Sequence, residues 1–126
     1  MKVMKMLFML LAMILTTLIS FSIIAQDIEI NERRTAKFIN CDNLNPQQIG
    51  AKVKNDFIQT RLPYWNKDKK LLGGSNVVAW INNNSITAIK HGYRIPLSVR
   101  GTKKDVSYQV IVNCQNETIT YQIKND

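Results

Sequence analysis

The sequence contains few of the residue types that build metal and catalytic sites. Among 126 residues it has one histidine, His91, and two cysteines, Cys41 and Cys114. A metal site needs more ligands than these three side chains supply. No GxxxxGK(S/T) or GxGxxG motif occurs, and the glycine pair in LLGGSN lacks the lysine and the spacing that a phosphate-binding loop needs. We therefore expect neither a metal nor a small-molecule cofactor.

Catalytic combinations of side chains are equally scarce. His91 lies in a polar stretch beside a glycine and is interpreted as a surface residue. Paired carboxylates for acid–base chemistry would have to come from residues that are dispersed along the chain. Most of these lie beside cations or turn residues, so we interpret them as solvated surface: Asp42, Asp56, Asp68, Asp105 and Glu117. No residue is assigned a catalytic role, and we expect a protein that is not an enzyme.

The first 25 residues do not resemble part of a folded domain. Lys2 and Lys5 precede an uncharged, mostly apolar run from Met6 to Ala25, which is typical of an export signal. Cleavage after Ala25 would release the rest of the chain, but Ile23 occupies a position where a small residue is preferred. An uncleaved run of this length could instead span a membrane as an anchor. We favour cleavage and predict a signal peptide over residues 1–25, a flexible leader over 26–37 and a folded domain over 38–123.

The part of the chain beyond the export signal is basic. Residues 27–126 hold 15 Lys and Arg against 9 Asp and Glu, a balance of +6. This balance favours an anionic partner such as lipid headgroups, surface polysaccharide, an acidic protein face or nucleic acid. It is also compatible with a soluble protein that is merely basic. The cations are scattered and no run is long enough for a nucleic-acid-binding tail, so we do not expect a nucleic-acid partner.

One helix is predicted near the start of the domain. Asn45 is a favourable N-cap for Pro46 at the first helical position, and Gln48 completes a capping box. An apolar stripe then recurs every four residues: Ile49, Val53 and Phe57. The helix should run from Pro46 to about Arg61 and end before the next proline.

The last third of the chain predicts strands. Three stretches alternate apolar and polar residues: YRIPLSVRG (93–101), DVSYQVIVNC (105–114) and TITYQI (118–123). They form an antiparallel meander with one buried face. Pro96 has no N–H, so its strand is an edge there or carries a bulge. VVAWI (77–81) predicts a further short strand, whereas YWNKDKKLLGGSN (64–76) is interpreted as a basic connector and NNNSITAIKHG (82–92) as a loop.

Together these elements predict a small α+β domain in which the antiparallel sheet packs against an N-terminal helix. An export signal with an even number of cysteines predicts one disulfide, the alternative being two free thiols. A bond between the two cysteines would close a loop of about 74 residues and contribute about 4.5 kcal/mol to stability.

One stretch is a candidate partner surface because it interleaves aromatic and basic residues: Tyr64, Trp65, Lys67, Lys69 and Lys70. Such a surface could stack on the bases of a single-stranded nucleic acid or anchor a protein partner. The alternative is that Trp65 covers the core beside the end of the helix.

The domain resembles the YebF/colicin M immunity family of enterobacterial exported proteins. The resemblance covers about residues 38–122. It rests on the order and spacing of several pieces: Cys41, VKNDF (53–57), Trp65, LLG (71–73), VAW (78–80), PLSVRG (96–101), YQVIVNC (108–114) and Tyr121. The family implies a compact antiparallel sheet with helices, closed by a disulfide between Cys41 and Cys114.

The family has a secreted branch and an immunity branch. The strands IPLSVRG and YQVIVNC are similar to the secreted branch, whose members cross the outer membrane after ordinary export. This implies partners in the export machinery, and outer-membrane porins in transit. The long apolar run is more similar to the immunity branch, which is anchored in the inner membrane, faces the periplasm and binds a colicin M-type toxin. We favour a secreted, non-enzymatic protein, with the anchored immunity protein as the alternative.

Overall fold

A six-stranded antiparallel sheet with helices packed against one face forms the described part of the chain. The computed structural model describes residues 33–124. The elements are β1 (Arg34–Lys37), α1 (Pro46–Asp56), α2 (Asn66–Leu72), β2 (Val78–Trp80), β3 (Thr87–Ile89), β4 (Gly92–Arg100), β5 (Asp105–Asn113) and β6 (Thr118–Ile123). The strand order is β1-β6-β5-β4-β2, and β3 also pairs with β4. The predicted α+β fold with one antiparallel sheet is confirmed.

The predicted meander is the centre of this sheet. β4 pairs with β5 from Gly92 opposite Asn113 to Arg100 opposite Asp105, and β5 pairs with β6. Alternate residues of the three strands face the helices and are buried, as the pattern predicts. They are Ile95, Leu97, Val99, Val106, Tyr108, Val110, Val112, Ile119 and Tyr121.

Pro96 lies where the outer edge of β4 has no partner strand. β3 pairs with residues 92–94 and β2 pairs with residues 98–100, so residues 95–97 lie between them. A missing N–H therefore costs no ladder hydrogen bond on that edge. The prediction that the strand of Pro96 is an edge at this point is confirmed.

The predicted helix begins as expected and ends differently. The Asn45 side chain accepts a hydrogen bond from the Gln48 N–H at 2.8 Å, and the Gln48 side chain accepts one from the Asn45 N–H at 2.9 Å. Ile49, Val53 and Phe57 are fully buried on the sheet side. Past Asp56 the chain widens into a π-helical turn over Phe57–Arg61 and then tightens into a 3₁₀ turn over Leu62–Tyr64.

The interpretation of residues 64–76 as a connector is wrong in part, because Asn66–Leu72 forms α2. Its inward face carries Asp68 and Leu72, both buried. The stretch is short and shows lysines on its other positions, so its apolar face is too narrow to predict a helix. The helix ends at Gly73, which adopts a left-handed φ of 92°.

Two further predictions are corrected at short strands. Residues 34–37, assigned to the flexible leader, form β1 and pair with β6. Residues 87–89, assigned to a loop, form β3, which reaches β4 through the two-residue turn Lys90-His91. His91 takes a left-handed φ of 65°, a conformation that Asn and Gly adopt more readily, so the usual hairpin signal is absent.

The predicted export segment and the leader up to residue 32 lie outside the described residues. Those assignments stay predictions. Within residues 33–124, no helix is long and apolar enough to cross a membrane.

The β4–β5 turn packs tightly against the end of α2, which gives a test of the fold. A Cβ on Gly101 would lie 2.2 Å from the Leu72 carbonyl oxygen, whereas a Cβ on Gly50 of α1 would meet only side-chain atoms, of Ile86 at 3.3 Å and of Ile81 at 3.8 Å. We expect Gly101→Ala to lower the free energy of unfolding by about 2 kcal/mol or more in urea denaturation.

Gly50→Ala is the matched control. Alanine has the better helix propensity, so this change should alter stability by less than about 1 kcal/mol. Equal effects of the two substitutions would contradict the close approach of the β4–β5 turn to α2.

Candidate functional site

The predicted disulfide is present. Cys41 and Cys114 are bonded, with their Cα atoms 5.4 Å apart. Cys41 lies in the loop before α1, and Cys114 directly follows β5, where its N–H donates to the His91 carbonyl at 2.7 Å. The bond therefore ties the entry of the helical layer to one end of the central hairpins. It confirms both the pairing and the closure of the domain by one disulfide.

Four aromatic rings form the centre of the interface between helices and sheet. Phe57 lies 5.0 Å from Tyr108 and 6.0 Å from both Tyr121 and Trp65, measured between ring centroids. Trp65 meets Tyr121 edge to face at 5.2 Å. These separations are typical of favourable aromatic pairs. The rings come from the π-helical turn, the start of α2, β5 and β6, so the cluster joins every layer of the domain.

A carboxylate with one arginine partner lies on one side of this cluster. Asp68 on α2 is 3% exposed and receives two parallel 2.9 Å hydrogen bonds from the guanidinium of Arg34 on β1. The Tyr108 hydroxyl donates to the same carboxylate at 2.5 Å. The Arg34 guanidinium also lies 3.6 Å from the centre of the Trp65 ring, a cation–π contact. The paired charge and the hydroxyl satisfy a carboxylate that would otherwise be costly to bury.

A second set of the same three residue types lies on the other side. Asp56, at the end of α1, accepts from the Tyr121 hydroxyl at 2.7 Å and from Arg61 Nε at 2.9 Å. Arg61 also donates to the Lys37 carbonyl on β1 at 3.1 Å. We call these two sets the Asp68 tie and the Asp56 tie. Each connects a tyrosine of the sheet, a carboxylate of the helical layer and an arginine.

The interpretation of Asp56 and Asp68 as solvated surface is wrong. The Asp68 side chain is 4% exposed and the Asp56 side chain 13% exposed. The other three acids of the described chain are exposed as predicted: Asp42, Asp105 and Glu117. One signal could have identified Asp68, because Trp65, Asp68 and Leu72 follow the i, i+3, i+7 spacing of one helix face.

Burial raises the pKa of both tyrosines well above the ordinary tyrosine value, and the hydrogen bonds that they donate to carboxylates add to this. Tyr108 is raised first by desolvation and then by its bond to Asp68. Tyr121 is raised first by desolvation and then by its bond to Asp56. Both phenols stay protonated donors across the physiological range of pH.

The five residues of the predicted partner surface fall into three groups. Trp65 belongs to the internal aromatic cluster and packs against the core, as the alternative predicted. Lys69 is half-buried and donates to the Pro63 carbonyl at 2.8 Å. Tyr64, at 79% exposure, and the exposed Lys67 and Lys70 face solvent. A role of these residues in partner binding stays a prediction.

A shallow groove runs beside α1. Its volume is about 480 Å³. Its walls come from the end of β1 with the segment that follows it, and from α1 with its π-helical turn: Lys37, Phe38, Ile39, Lys52, Asn55, Asp56, Gln59, Thr60 and Arg61. Its one carboxylate, Asp56, is held by Tyr121 and Arg61. In residues 33–124 no three His, Cys, Asp or Glu side chains come together as metal ligands would.

The described domain, residues 33–124, is more basic than residues 27–126 taken together. Residues 33–124 hold 15 Lys and Arg but 5 Asp and Glu, a balance of +10. Two of those acids, Asp56 and Asp68, are bound inside the fold. The accessible surface is therefore strongly cationic.

These features define a class of protein, the small basic α+β domain closed by one disulfide. The chain belongs to the YebF-like family, whose model, described as YebF-like protein, matches residues 34–122. The match begins at Arg34, the residue that pairs with Asp68. The resemblance drawn from the sequence is confirmed.

Curated relatives agree over most of the chain. It is 44% identical over 110 residues to Protein YebF of Photorhabdus laumondii, covering 87% of this chain and 85% of that protein. It is 40% identical over 94 residues to Protein YebF of Yersinia pseudotuberculosis and of Yersinia pestis, covering 75% of this chain and 69% of each relative.

The disulfide should carry a large share of the stability. Replacing Cys41 and Cys114 together by serine should lower the free energy of unfolding by about 4 kcal/mol, because the unfolded chain regains the freedom of the closed loop. Chemical denaturation with and without reductant measures this. Reduced wild type should match the double variant, and a double variant as stable as oxidised wild type would contradict the role of the bond.

The Asp68 tie should contribute far more to the free energy of unfolding than an exposed carboxylate does. Asp68→Asn leaves Arg34 without its ion pair while keeping the shape of the site, and we expect a loss of about 2–3 kcal/mol, since Arg34 is partly screened by solvent. Asp105→Asn, on the exposed end of β5, is the matched control and should change stability by less than about 0.5 kcal/mol. Equal losses for the two variants would rule out a structural role of the tie.

The raised tyrosine pKa values predict a loss of stability in alkali. Above pH 10 the unfolded chain releases its phenolic protons while folded Tyr108 and Tyr121 keep theirs. The unfolded state then binds fewer protons, so the free energy of unfolding falls as pH rises, by up to about 2.7 kcal/mol per pH unit from the two residues. Below about pH 9 this contribution is constant.

Urea denaturation between pH 8 and pH 11 measures that slope. Tyr121→Phe should reduce it by about 1.4 kcal/mol per pH unit. Tyr64→Phe removes an exposed tyrosine and serves as the control, with an unchanged slope expected. The same slope in both variants would show that the buried phenols do not cause the alkaline loss.

Proposed function

We propose that this chain is a small exported protein that folds in the periplasm, is released to the medium and has no enzymatic activity of its own. Membership of the YebF-like family over residues 34–122 is the observation that carries the proposal. The Cys41–Cys114 bond supports it, because disulfides form and persist in oxidising compartments such as the bacterial periplasm. The export segment predicted over residues 1–25 supplies the route.

The environment of the acids and the histidine supports a non-enzymatic role. Asp56 and Asp68 are each held by an arginine and a tyrosine hydroxyl, which leaves neither free to act as an acid or a base. His91 is exposed in the β3–β4 turn, away from the buried carboxylates. The function then resides in the fold's stability and surface rather than in a reaction centre.

The surface of the central strands is compatible with passage through an outer-membrane pore. The solvent-facing side of the central strands is polar and mostly uncharged, including Ser107, Gln109, Thr120 and Gln122. The partners in this proposal are the export machinery and, during outer-membrane passage, porins. A compact domain closed by a disulfide can move through a pore as one body, provided that it does not unfold on the way.

The alternative is a membrane-anchored immunity protein that binds a colicin M-type toxin in the periplasm. The uninterrupted apolar run from Met6 to Ala25 favours it, because about 20 apolar residues suffice to span a bilayer. In that case residues 33–124 would be a tethered binding module.

Intact mass spectrometry of membrane, periplasm and medium fractions distinguishes the two. A soluble species that begins near Gln26 and is two mass units lighter than its reduced form supports the secreted protein. A full-length species confined to membranes would overturn release and support the anchor.

A protection assay tests the alternative directly. Cells sensitive to colicin M should survive the toxin if the chain is an immunity protein, and a Cys41→Ser variant should protect less. Normal killing at good expression would remove this alternative.

A further inference from the structure

One edge of the sheet combines exposed apolar side chains with cations. Val78 is 63% exposed and Trp80 41% exposed, and both point away from the core because Ala79 between them is buried. Arg100 lies opposite Val78 in the β2–β4 register, with its guanidinium 5.6 Å from the centre of the Trp80 ring. Exposed Lys103 and Lys104 follow in the β4–β5 turn. We call Val78, Trp80, Arg100, Lys103 and Lys104 the β2 rim.

The backbone of the β2 rim is held in place from two sides. The Lys103 N–H donates to the Leu72 carbonyl at 2.9 Å, and the Gly101 N–H donates to the Lys104 carbonyl at 3.1 Å. Thr102 Oγ1 donates to the Gly73 carbonyl at 3.2 Å. The turn is therefore ordered before any partner arrives, which lowers the entropy cost of binding.

The charge of the β2 rim favours an anionic partner. It carries three cations, and one acid, Asp105, lies opposite Arg100 across β4 and β5. The domain around it has a balance of +10. Two such rims would repel each other, so a second copy of the chain is a poor partner, whereas a surface of dense negative charge is a good one.

We propose that the β2 rim docks the domain on the surface of a bilayer that contains anionic phospholipid. The three cations contact headgroup phosphates, and Trp80 and Val78 enter the interface beside them. An indole ring prefers the headgroup level, and an aliphatic neighbour adds buried apolar area. A single-stranded nucleic acid would stack on Trp80 but would give Val78 no comparable role.

The expected strength of docking follows from the number of cations. Each Lys or Arg near an anionic surface raises the partition coefficient about fivefold, and three together raise it about 100-fold. Docking should therefore need anionic lipid and weaken as salt is added, since the attraction falls off within a Debye length.

Trp80 supplies a local readout. The chain recovered from expressing cells, with the same N-terminus in every variant, is mixed with vesicles of phosphatidylcholine alone or of phosphatidylcholine and phosphatidylglycerol in equal parts. With anionic vesicles we expect a blue shift of tryptophan emission and quenching by brominated lipid. Trp80→Phe should abolish both signals, because the remaining Trp65 packs in the internal aromatic cluster.

Two triple variants of equal charge separate a specific rim from general attraction. Arg100→Gln with Lys103→Gln and Lys104→Gln should weaken anionic-vesicle binding about 100-fold and remove the Trp80 signal. Lys52→Gln with Lys54→Gln and Lys90→Gln removes three exposed cations elsewhere and should preserve that signal. Thermal melting confirms that both variants fold.

Several results would overturn the proposal. Equal loss in the two triple variants would show attraction by net charge alone. Binding without any change at Trp80 would place the contact elsewhere, and the same change with oligonucleotides but not with vesicles would assign the rim to nucleic acid. If residues 1–25 remain attached and hold the chain on both vesicle types, unquenched Trp80 on anionic vesicles would equally overturn it.

Discussion

The buried carboxylate of Asp68 is the constraint on which much of the fold depends. A charge that is 3% exposed is tolerable only when a counter-charge and hydrogen-bond donors surround it. Arg34 and Tyr108 supply these from opposite parts of the chain, β1 and β5. Three elements that are far apart in sequence therefore meet at one carboxylate, and the packing of α2 on the sheet is stabilised by β1 beside β6.

This requirement explains why β1, which precedes the first cysteine, belongs to the domain. β1 is only four residues long and would be a weak edge strand by itself. The Arg34–Asp68 pair and the contact of Arg34 with the Trp65 ring fix it from within, and Arg61 bonds to its last carbonyl from the side of α1. The match to the family model also begins at Arg34, the first residue of β1.

Elements whose stability is local or periodic could be predicted from the sequence. The capping box of Asn45 and Gln48 lies within four residues, and the alternation of β4, β5 and β6 repeats long enough to be unambiguous. α2 and β1 were not predicted, because each turns a charged residue inward, Asp68 and Arg34, and charged residues are typical of a surface. β3 was missed because His91 occupies the left-handed turn position where Asn or Gly is the usual signal. Within the candidate site, the two cysteines predicted the disulfide. The spacing of Trp65, Asp68 and Leu72 indicates a shared helix face, but the partners of Asp68, Arg34 and Tyr108, are too distant in sequence for a local pattern to predict.

The Asp56 and Asp68 ties also affect the charge of the protein surface. Asp56 and Asp68 are two of the five acids in residues 33–124, and both are bound inside the fold. Their arginines are paired with them, so each pair is neutral and adds little to the net charge of the surface. Outside these two pairs, residues 33–124 hold thirteen Lys and Arg and three exposed acids. The ratio of cations to acids is therefore higher than the 15 to 5 of the whole segment. Because the inward carboxylates are structural, the cationic exterior follows from how the core is closed, and any partner that recognises this domain through charge must be anionic.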